Sequence, residues 1–403
     1  MKTDNLKMLI LLALLSAFPP LSTDMYLPAL PLLQEIWQQP ASIINLTLVA
    51  FFIGFCSSLL FYGPISDQFG RKPTLLVGIS IYVIACLLCG FAENATYLTV
   101  FRFLQGVGSA SALVMAIAIT KDYYQGNERQ RVLAYMGVIM SLAPMLAPVL
   151  GGFIMTRFSW PLVFFVQALI GLFAWGGVFG MKEPLKEPVA GGLRQALEMY
   201  PELMRNGRYA ALVLLFSASV ITHYSFIGAA ADIYIGRYGT SEQIFGFFFA
   251  FNAVAIIAGS FVCAKTQRVI SARNLLTVGF AGIFTGGILM FLKVFPAPWE
   301  LAIPMAIASF AFGLSRPASN NIVLEQVDRG AGSASSLMVF LNFMAGALSM
   351  WFISQGWSDT VRILAVLAIL SGGIVLTIWL LVPCLTGSDK EATCLGQPVE
   401  QGH

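Results

Sequence analysis

Long apolar runs recur from one end of the 403-residue sequence to the other. About 20 helical residues are what the hydrocarbon core of a bilayer requires, and lipid offers no hydrogen-bonding partner to an open backbone, so these runs must be helices. Only 11% of the residues are charged, 58% are hydrophobic and the mean hydropathy is +0.79, too little charge to cover a water-soluble domain of this size. The pattern implies twelve spans: 6–33, 42–63, 74–92, 95–120, 130–155, 159–181, 208–231, 242–264, 273–294, 299–321, 331–355 and 358–384. The fold class is therefore all-α, a polytopic membrane protein.

The connections orient the spans. With the N-terminus inside, the inner segments hold Lys2, Lys7, Arg71, Lys72, Lys121, Arg129, Arg131, Lys182, Lys186, Arg194, Arg205, Arg208, Lys265, Arg268, Arg273, Arg329 and Lys390. The outer segments hold only Arg157, Arg237, Lys293 and Arg362. Seventeen against four places both termini in the cytoplasm. The net charge of +3 is this asymmetry and gives no indication of nucleic acid. The first apolar run lacks a small-residue cleavage site and continues past Asp24 as "YLPALPLL", so it is expected to remain as an uncleaved span.

The longest hydrophilic connection, 182–207, "KEPLKEPVAGGLRQALEMYPELMRNG", divides the spans six and six. It separates an N-terminal half, 1–181, from a C-terminal half, 208–384, and residues 385–403 form a polar tail. Its middle, "GLRQALEMYPEL", is weakly amphipathic and reads either as a helix on the membrane surface or as a linker. Equal halves joined this way suit a pseudo-symmetric transporter with its substrate site near the midplane. Cys86 and Cys89 form a CxxC inside an apolar helix, where packing is the expected role. His223 and His403 are the only histidines, so neither a His-based metal site nor a triad is expected. There is no Walker loop, and no cofactor is expected.

The two basic residues left over, Arg102 and Arg316, fall inside spans 4 and 10, and with Asp24 in span 1 the first of them demands explanation. Asp24 interrupts "LSTDMYLPALP" and Arg102 sits in "LTVFRFLQGVGSA". A lone arginine near the bilayer centre costs at least ~2.5–3.5 kcal/mol and should face a partner or water. Span 1 runs outward and span 4 inward, so at 1.5 Å per residue both charges fall in the outer half at similar depth and are expected to share one cavity. A carboxylate there is subject to desolvation, which opposes ionisation, and to a nearby cation, which favours it. Asp24 is thus either a proton-exchanging group or an interfacial cap on a helix break before Pro28.

Residues 63–75 read "GPISDQFGRKPTL", expected in the short inner loop between spans 2 and 3, where glycines let two helix ends turn tightly. With Gly63, Asp67, Gly70, Arg71 and Lys72 this stretch resembles the G-x-L-x-D-x-x-G-R-K loop of the major facilitator superfamily. Ile65 and Gln68 depart from its usual form. Arg102 followed by Gln105, Gly106 and Gly108 is similar to that family's second motif. "GVIMSLAPMLAPVLGG" at 137–152 resembles its third, the antiporter motif, with Pro148, Gly151 and Gly152 at its P-x-x-G-G end and Ala134, Ala143 and Ala147 where glycines are usual. Together with "STDMYLPALP" these stretches narrow the resemblance to the bicyclomycin/chloramphenicol-resistance branch of drug:proton antiporters.

The resemblance implies export of amphipathic small molecules in exchange for protons, by an inner-membrane protein working as a monomer. It places proton coupling at Asp24 and Arg102. The conformational switch falls to Gly63, Asp67, Gly70, Arg71, Lys72, Pro148, Gly151 and Gly152, with Asp122 paired to Arg71. Substrate contacts are expected from Asp24, Tyr26, Gln105, His223 and Asn252, although Tyr26 projects about 200° from Asp24 on an ideal helix and joins it only if the helix is distorted near Pro28. Asn320, Asn321 and Asn342 are expected to line the cavity or bond helix to helix. A metabolite transporter would share every motif; a membrane receptor or enzyme is the reading from a different class.

Overall fold

The computed structural model describes residues 3–185, 192–267, 269–327 and 330–381. Lys2, Lys186, Arg268, Arg329, Lys390 and the tail 385–403 lie outside them, as does the end of the last expected span. Twelve helices are long and apolar enough to cross a membrane, and their bounds follow the expected ones within a few residues. Span 1 joins α1 (Thr3–Asp24), a 3-10 turn (Leu27–Ala29) and α2 (Leu30–Trp37). Ala41–Ile44 (α3) leads into span 2, Leu46–Phe69 (α4), followed by spans 3 to 6: Arg71–Gly90 (α5), Ala95–Tyr123 (α6), Gly126–Arg157 (α7) and Pro161–Phe179 (α8). After the connecting helix Gly192–Arg205 (α9), span 7 is again composite: Gly207–Ser219 (α10), Ile221–Ala231 (α11) and a π turn, Asp232–Arg237. Spans 8 to 12 are Glu242–Thr266 (α12), Ala272–Phe291 (α13), Trp299–Leu324 (α14), Ala331–Ile353 (α15) and Thr360–Leu381 (α16). Several N-termini are capped by short polar side chains, as when Asn94 accepts from the Tyr97 amide and Ser241 from the Ile244 amide.

Neighbour relations repeat between the first six spans and the last six. Span 2 packs on span 4 and span 3 on spans 4 and 6; span 8 packs on span 10 and span 9 on spans 10 and 12. The two tightest crossings share one device. A Cβ on Gly54 would strike the Phe103 carbonyl and one on Gly106 the Phe51 carbonyl, while Gly259 meets the Phe310 carbonyl and Gly313 that of Ile256. Each crossing is thus reciprocal, with a glycine of one helix seated on the carbonyl three residues before the other's glycine. Such close approach replaces the hydrophobic drive that lipid cannot supply. The principal contacts between the two sets are span 5 on span 8 and span 2 on span 11, which map onto each other when the sets are exchanged.

One end of the bundle carries residues 67–72 and is called here the loop end. At the opposite, far end, hydrogen bonds join the two sets: Asn45 Nδ2 donates to the Gly228 carbonyl (3.0 Å) and Ser354 Oγ (2.8 Å), and Gln243 Nε2 to Thr156 Oγ1 (2.9 Å). Asp359, ahead of span 12, accepts from Arg237 (2.6 Å) and Lys293 (2.9 Å), tying the far ends of spans 7, 9 and 12. Partial burial pushes its carboxyl up, but the bonds from Arg237, Lys293 and the Arg362 amide outweigh this and bring its pKa down to about 2. The tie therefore stays ionised at any pH where a membrane protein works and is not a pH switch.

Two expectations are corrected. Span 2 stays helical to Phe69, so Gly63 and Asp67 belong to its last turns and only Gly70, at φ +100°, stands between spans 2 and 3. The run from Gly63 carries enough apolar side chains to keep winding, and a single residue of positive φ suffices for the turn. The connection, read as either a surface helix or a linker, forms the helix Gly192–Arg205, packed against spans 2 and 11 at the loop end, which corrects the linker reading. Tyr200 Oη donates to the Leu60 carbonyl (3.0 Å), and Leu203 is buried.

Gly106→Val is expected to destabilise the fold by about 1–3 kcal/mol through overpacking. Gly63→Ala, inside the helix and where a Cβ would meet nothing within 4 Å, is expected to raise stability by up to about 1 kcal/mol. Thermal unfolding of the two variants in detergent checks the contrast.

Candidate functional site

The site begins where span 1 breaks. Proline lacks the N–H that would donate to the carbonyl four residues back, so Pro28 leaves the Asp24 carbonyl without its intrahelical donor. The Tyr26 amide turns to the Thr23 carbonyl instead (3.2 Å), which leaves Leu21 and Ser22 with carbonyls facing the protein interior. Side chains of spans 4 and 6 meet both: Arg102 Nη1 donates to Ser22 O (2.9 Å) and Gln167 Nε2 to Leu21 O (3.1 Å). Gln105 joins the two, accepting from Arg102 and donating to Gln167 Oε1 (2.7 Å) and to Cys86 Sγ (3.1 Å). The fully buried Arg102 is boxed by aromatic rings, its guanidinium carbon 4.5 Å from the centroid of Phe51, 4.9 Å from Tyr26 and 5.8 Å from Phe164. Cation–π attraction of this kind is strong where water is excluded.

The break also decides where Asp24 and Tyr26 point. Tyr26 turns onto Arg102 and shares a hydrogen bond with Thr47 Oγ1 (3.0 Å). Asp24, the last residue of α1, is buried, accepts from Thr23 Oγ1 (2.9 Å) and forms no ion pair among the described residues. The expected meeting of Asp24 with Arg102 in one cavity is therefore corrected, because the arginine is occupied by carbonyls and rings on the other side of the broken helix. Arg102 instead holds the terminal turn on which Asp24 is carried.

Asp24 addresses the other set of spans. Asp24 and Arg316 both lie within electrostatic reach of the Tyr224 hydroxyl of span 7. Tyr224 belongs to an aromatic cluster bridging the two sets, with Phe52 (5.5 Å between centroids) and Phe343 (5.7 Å); Phe55 meets Phe343 at 5.1 Å. His223 stacks on Phe312 (4.9 Å, 17° between planes), and the Arg316 guanidinium lies 5.4 Å from the same ring. Asn252 stands apart from Asp24, donating to Phe248 O (3.0 Å) and accepting from Ser309 (3.4 Å). Asn342 accepts from Ser217 (3.0 Å), a helix-to-helix bond, and Asn320 and Asn321 occupy the loop-end part of span 10.

At the loop end, Arg71 binds Asp67 (2.6 Å), Asp122 (2.8 Å) and Ser66 Oγ (2.6 Å). Glu183, just after span 6, accepts from the backbone amides of Arg71 (2.9 Å) and Lys72 (3.0 Å), a carboxylate on the N-terminus of span 3. Lys72 Nζ donates to Phe179 O (2.7 Å). These bonds all join residues of the first 183. In span 5, Gly151 rests on the Met25 carbonyl inside the span 1 break, Gly152 faces the Glu242 carbonyl at the start of span 8, and the Pro148 carbonyl faces Gly246.

Sequence reasoning placed Arg316 inside span 10 without giving it a role, and it missed Gln167 and Glu183. Arg316 carried the signal already applied to Arg102, a lone arginine inside a span. Glu183 followed a helix end beside basic residues. Gln167 offered nothing beyond being a polar residue in an apolar run. Among the described residues, no three His, Cys, Asp or Glu gather as a metal-ligating group.

Arg102→Lys keeps the charge but loses the planar fork and its stacking. It is expected to lower stability by about 1.5–3 kcal/mol, the range for hydrogen bonds to charged groups. The check is thermal unfolding of the purified protein, set against Arg205→Lys at an exposed position.

Comparison with known proteins agrees with this architecture. The Bicyclomycin resistance protein homolog of Haemophilus influenzae is 30% identical over 358 residues, 87% of this chain and 89% of that protein. The Multidrug resistance protein MdtL of Vibrio parahaemolyticus is 27% identical over 90% of this chain and 92% of its own length. In fold, the chain is similar to a bacterial homolog of the human lysosomal transporter Spinster in an inward-facing, unoccupied conformation, with TM-score 0.75 and 16% identity, covering 96% of this chain and 98% of that one. The profile of the Major Facilitator Superfamily matches residues 12–350. The twelve spans, the Asp67–Arg71–Asp122 cluster and this match together show that the chain belongs to the Major Facilitator Superfamily.

Proposed function

We propose that the protein is a proton-coupled exporter of amphipathic small molecules, a drug:proton antiporter and not an enzyme. In this reading the first six and last six spans are two halves, 1–181 and 208–384, that rock about the midplane of the cell's inner membrane. The seventeen-to-four distribution of basic residues supports a cytoplasmic loop end, and the far-end bonds from Asn45 and Gln243 support reading this conformation as closed to the outside. A monomer suffices, since two halves of one chain enclose the site.

The observation that carries the proposal is Asp24, a buried carboxylate held at a helix break, free of any ion pair among the described residues and within electrostatic reach of Tyr224 in span 7. A carboxyl in this position gains and loses its proton as water reaches it from alternate sides, each pK unit of difference between states being about 1.4 kcal/mol. The membrane potential adds about 2.3 kcal/mol per net charge moved per 100 mV. Arg102 acts as a positioning residue for this group, and the aromatic cluster around Tyr224 offers apolar surface to the substrate. The names of the Haemophilus and Vibrio relatives favour drugs over metabolites as cargo.

Asp24→Asn is expected to abolish uphill export while leaving the protein folded in the membrane. Proteoliposomes carrying the variant should accumulate no dye under an imposed proton gradient; accumulation at the wild-type level would sink the coupling role. Asn45→Cys with Ser354→Cys, joined by oxidation across their 2.8 Å contact, is expected to arrest transport until the disulfide is reduced. Undiminished transport in the crosslinked protein would count against rocking halves.

A further inference from the structure

The two intramembrane arginines are treated very differently. Arg102 has a carbonyl, an amide oxygen and three rings, with its Nε and Nη2 buried against those rings without a hydrogen-bond partner among the described residues. The side chain of Arg316, in the loop-end half of span 10, makes no hydrogen bond or ion pair among the described residues; its contact is the Phe312 ring one turn earlier, and its Nη1 is buried without a partner. The Nδ1 of His223, stacked on that same ring, is likewise buried and unpartnered. His223, Tyr224 and Arg316 are nonetheless only partly buried as residues, so the space they border is not sealed. Two unsatisfied polar groups from different helices thus converge beside one aromatic ring, on the wall opposite Asp24.

We infer that Arg316 and His223 form an acceptor-binding point for the transported compound, which makes the preferred cargo an aromatic molecule bearing a carboxylate or a comparably strong acceptor. This rests on the export reading above and adds the class of substrate to it. A guanidinium cannot be deprotonated and presents its donors as a planar fork matched to a carboxylate. A permanent cation at membrane depth is retained only with a partner, and none of the surrounding protein groups serves in this conformation. A ligand that arrives and leaves fills that role, its ring taking up the aromatic surface of Phe312, Tyr224 and Phe343 and any amine it carries facing Asp24.

The test uses the purified full-length protein in detergent and two fluorescent probes that differ in one group, dansylglycine, a carboxylate, and dansylglycinamide, its neutral amide. Wild type is expected to bind the acid at least about tenfold more tightly, as a charge-assisted bidentate bond would give. Arg316→Gln should bring the two affinities within about twofold by weakening the acid alone. Should that variant not purify as a monodisperse species, Arg316→Lys decides: a preference below the wild-type ratio supports the inference, and an unchanged one overturns it. Equal affinities in wild type, binding of neither probe, or a preference that survives Arg316→Gln would also overturn it. Proton-driven export of a cationic dye with equal probe affinities removes the acceptor point alone. A tenfold preference without proton-driven export of any compound leaves the acceptor point standing and removes the antiport reading.

Discussion

A helix that stops inside a membrane leaves carbonyls that lipid cannot satisfy, and much of the first six spans is arranged around meeting that demand at Leu21 and Ser22. Gln167 and Arg102 donate to the two carbonyls, and Gln105 ties the donors together. The arrangement is mutual. Arg102 would be expensive to bury alone, and the broken turn supplies its acceptor, while Phe51, Tyr26 and Phe164 supply rings. Removing either side leaves the other unsatisfied in a low-dielectric interior, so the break and the arginine stand or fall together. Asp24 is the last residue of the helix that ends in this assembly, so its placement follows from where the helix stops.

Much of the fold was legible because the bilayer imposes a length and a composition on every span. The twelve runs, the central connection and the Gly70 turn follow from hydropathy, basic-residue asymmetry and glycine chemistry. The site was legible in its members more than in its pairings. Asp24 and Arg102 lie at similar depth, as helical rise indicates, but depth says nothing of azimuth, and the fracture at Pro28 rotates the two residues' surroundings apart. The same fracture brings Tyr26 onto Arg102, the distortion on which its membership depended. Hydropathy could not place Glu183, because its bond to the span 3 amides depends on how the end of span 6 folds back beside Gly70.

The two sets of spans share a scaffold and differ in chemistry. Reciprocal glycine crossings at Gly54 with Gly106 and at Gly259 with Gly313 show that helix approach was settled in the same way twice. The arginines do not follow that symmetry: Arg102 lies four residues before its crossing glycine, Arg316 three residues after. One set thereby bonds its cation to the broken turn and encloses it in rings, and the other leaves its cation's side chain without a hydrogen bond among the described residues. In a rocking-bundle reading this divides labour, with the first set keeping a fixed internal geometry and the second keeping unsatisfied groups for a transient guest.

Gly151 and Gly152 are consecutive, so their side-chain directions differ by about 100°, and each looks at a different body. The first rests on the Met25 carbonyl within the span 1 fracture, the second on the start of span 8. Span 5 therefore works as a fulcrum with two faces one residue apart. Bulk added at 151 levers the fractured segment and with it the carboxylate, leaving the other set untouched. Bulk added at 152 wedges the far end open and tilts the two-state equilibrium with the carboxylate's own surroundings intact. Chemistry and motion, which most transporter lesions confound, are here addressed by neighbouring positions on one helix.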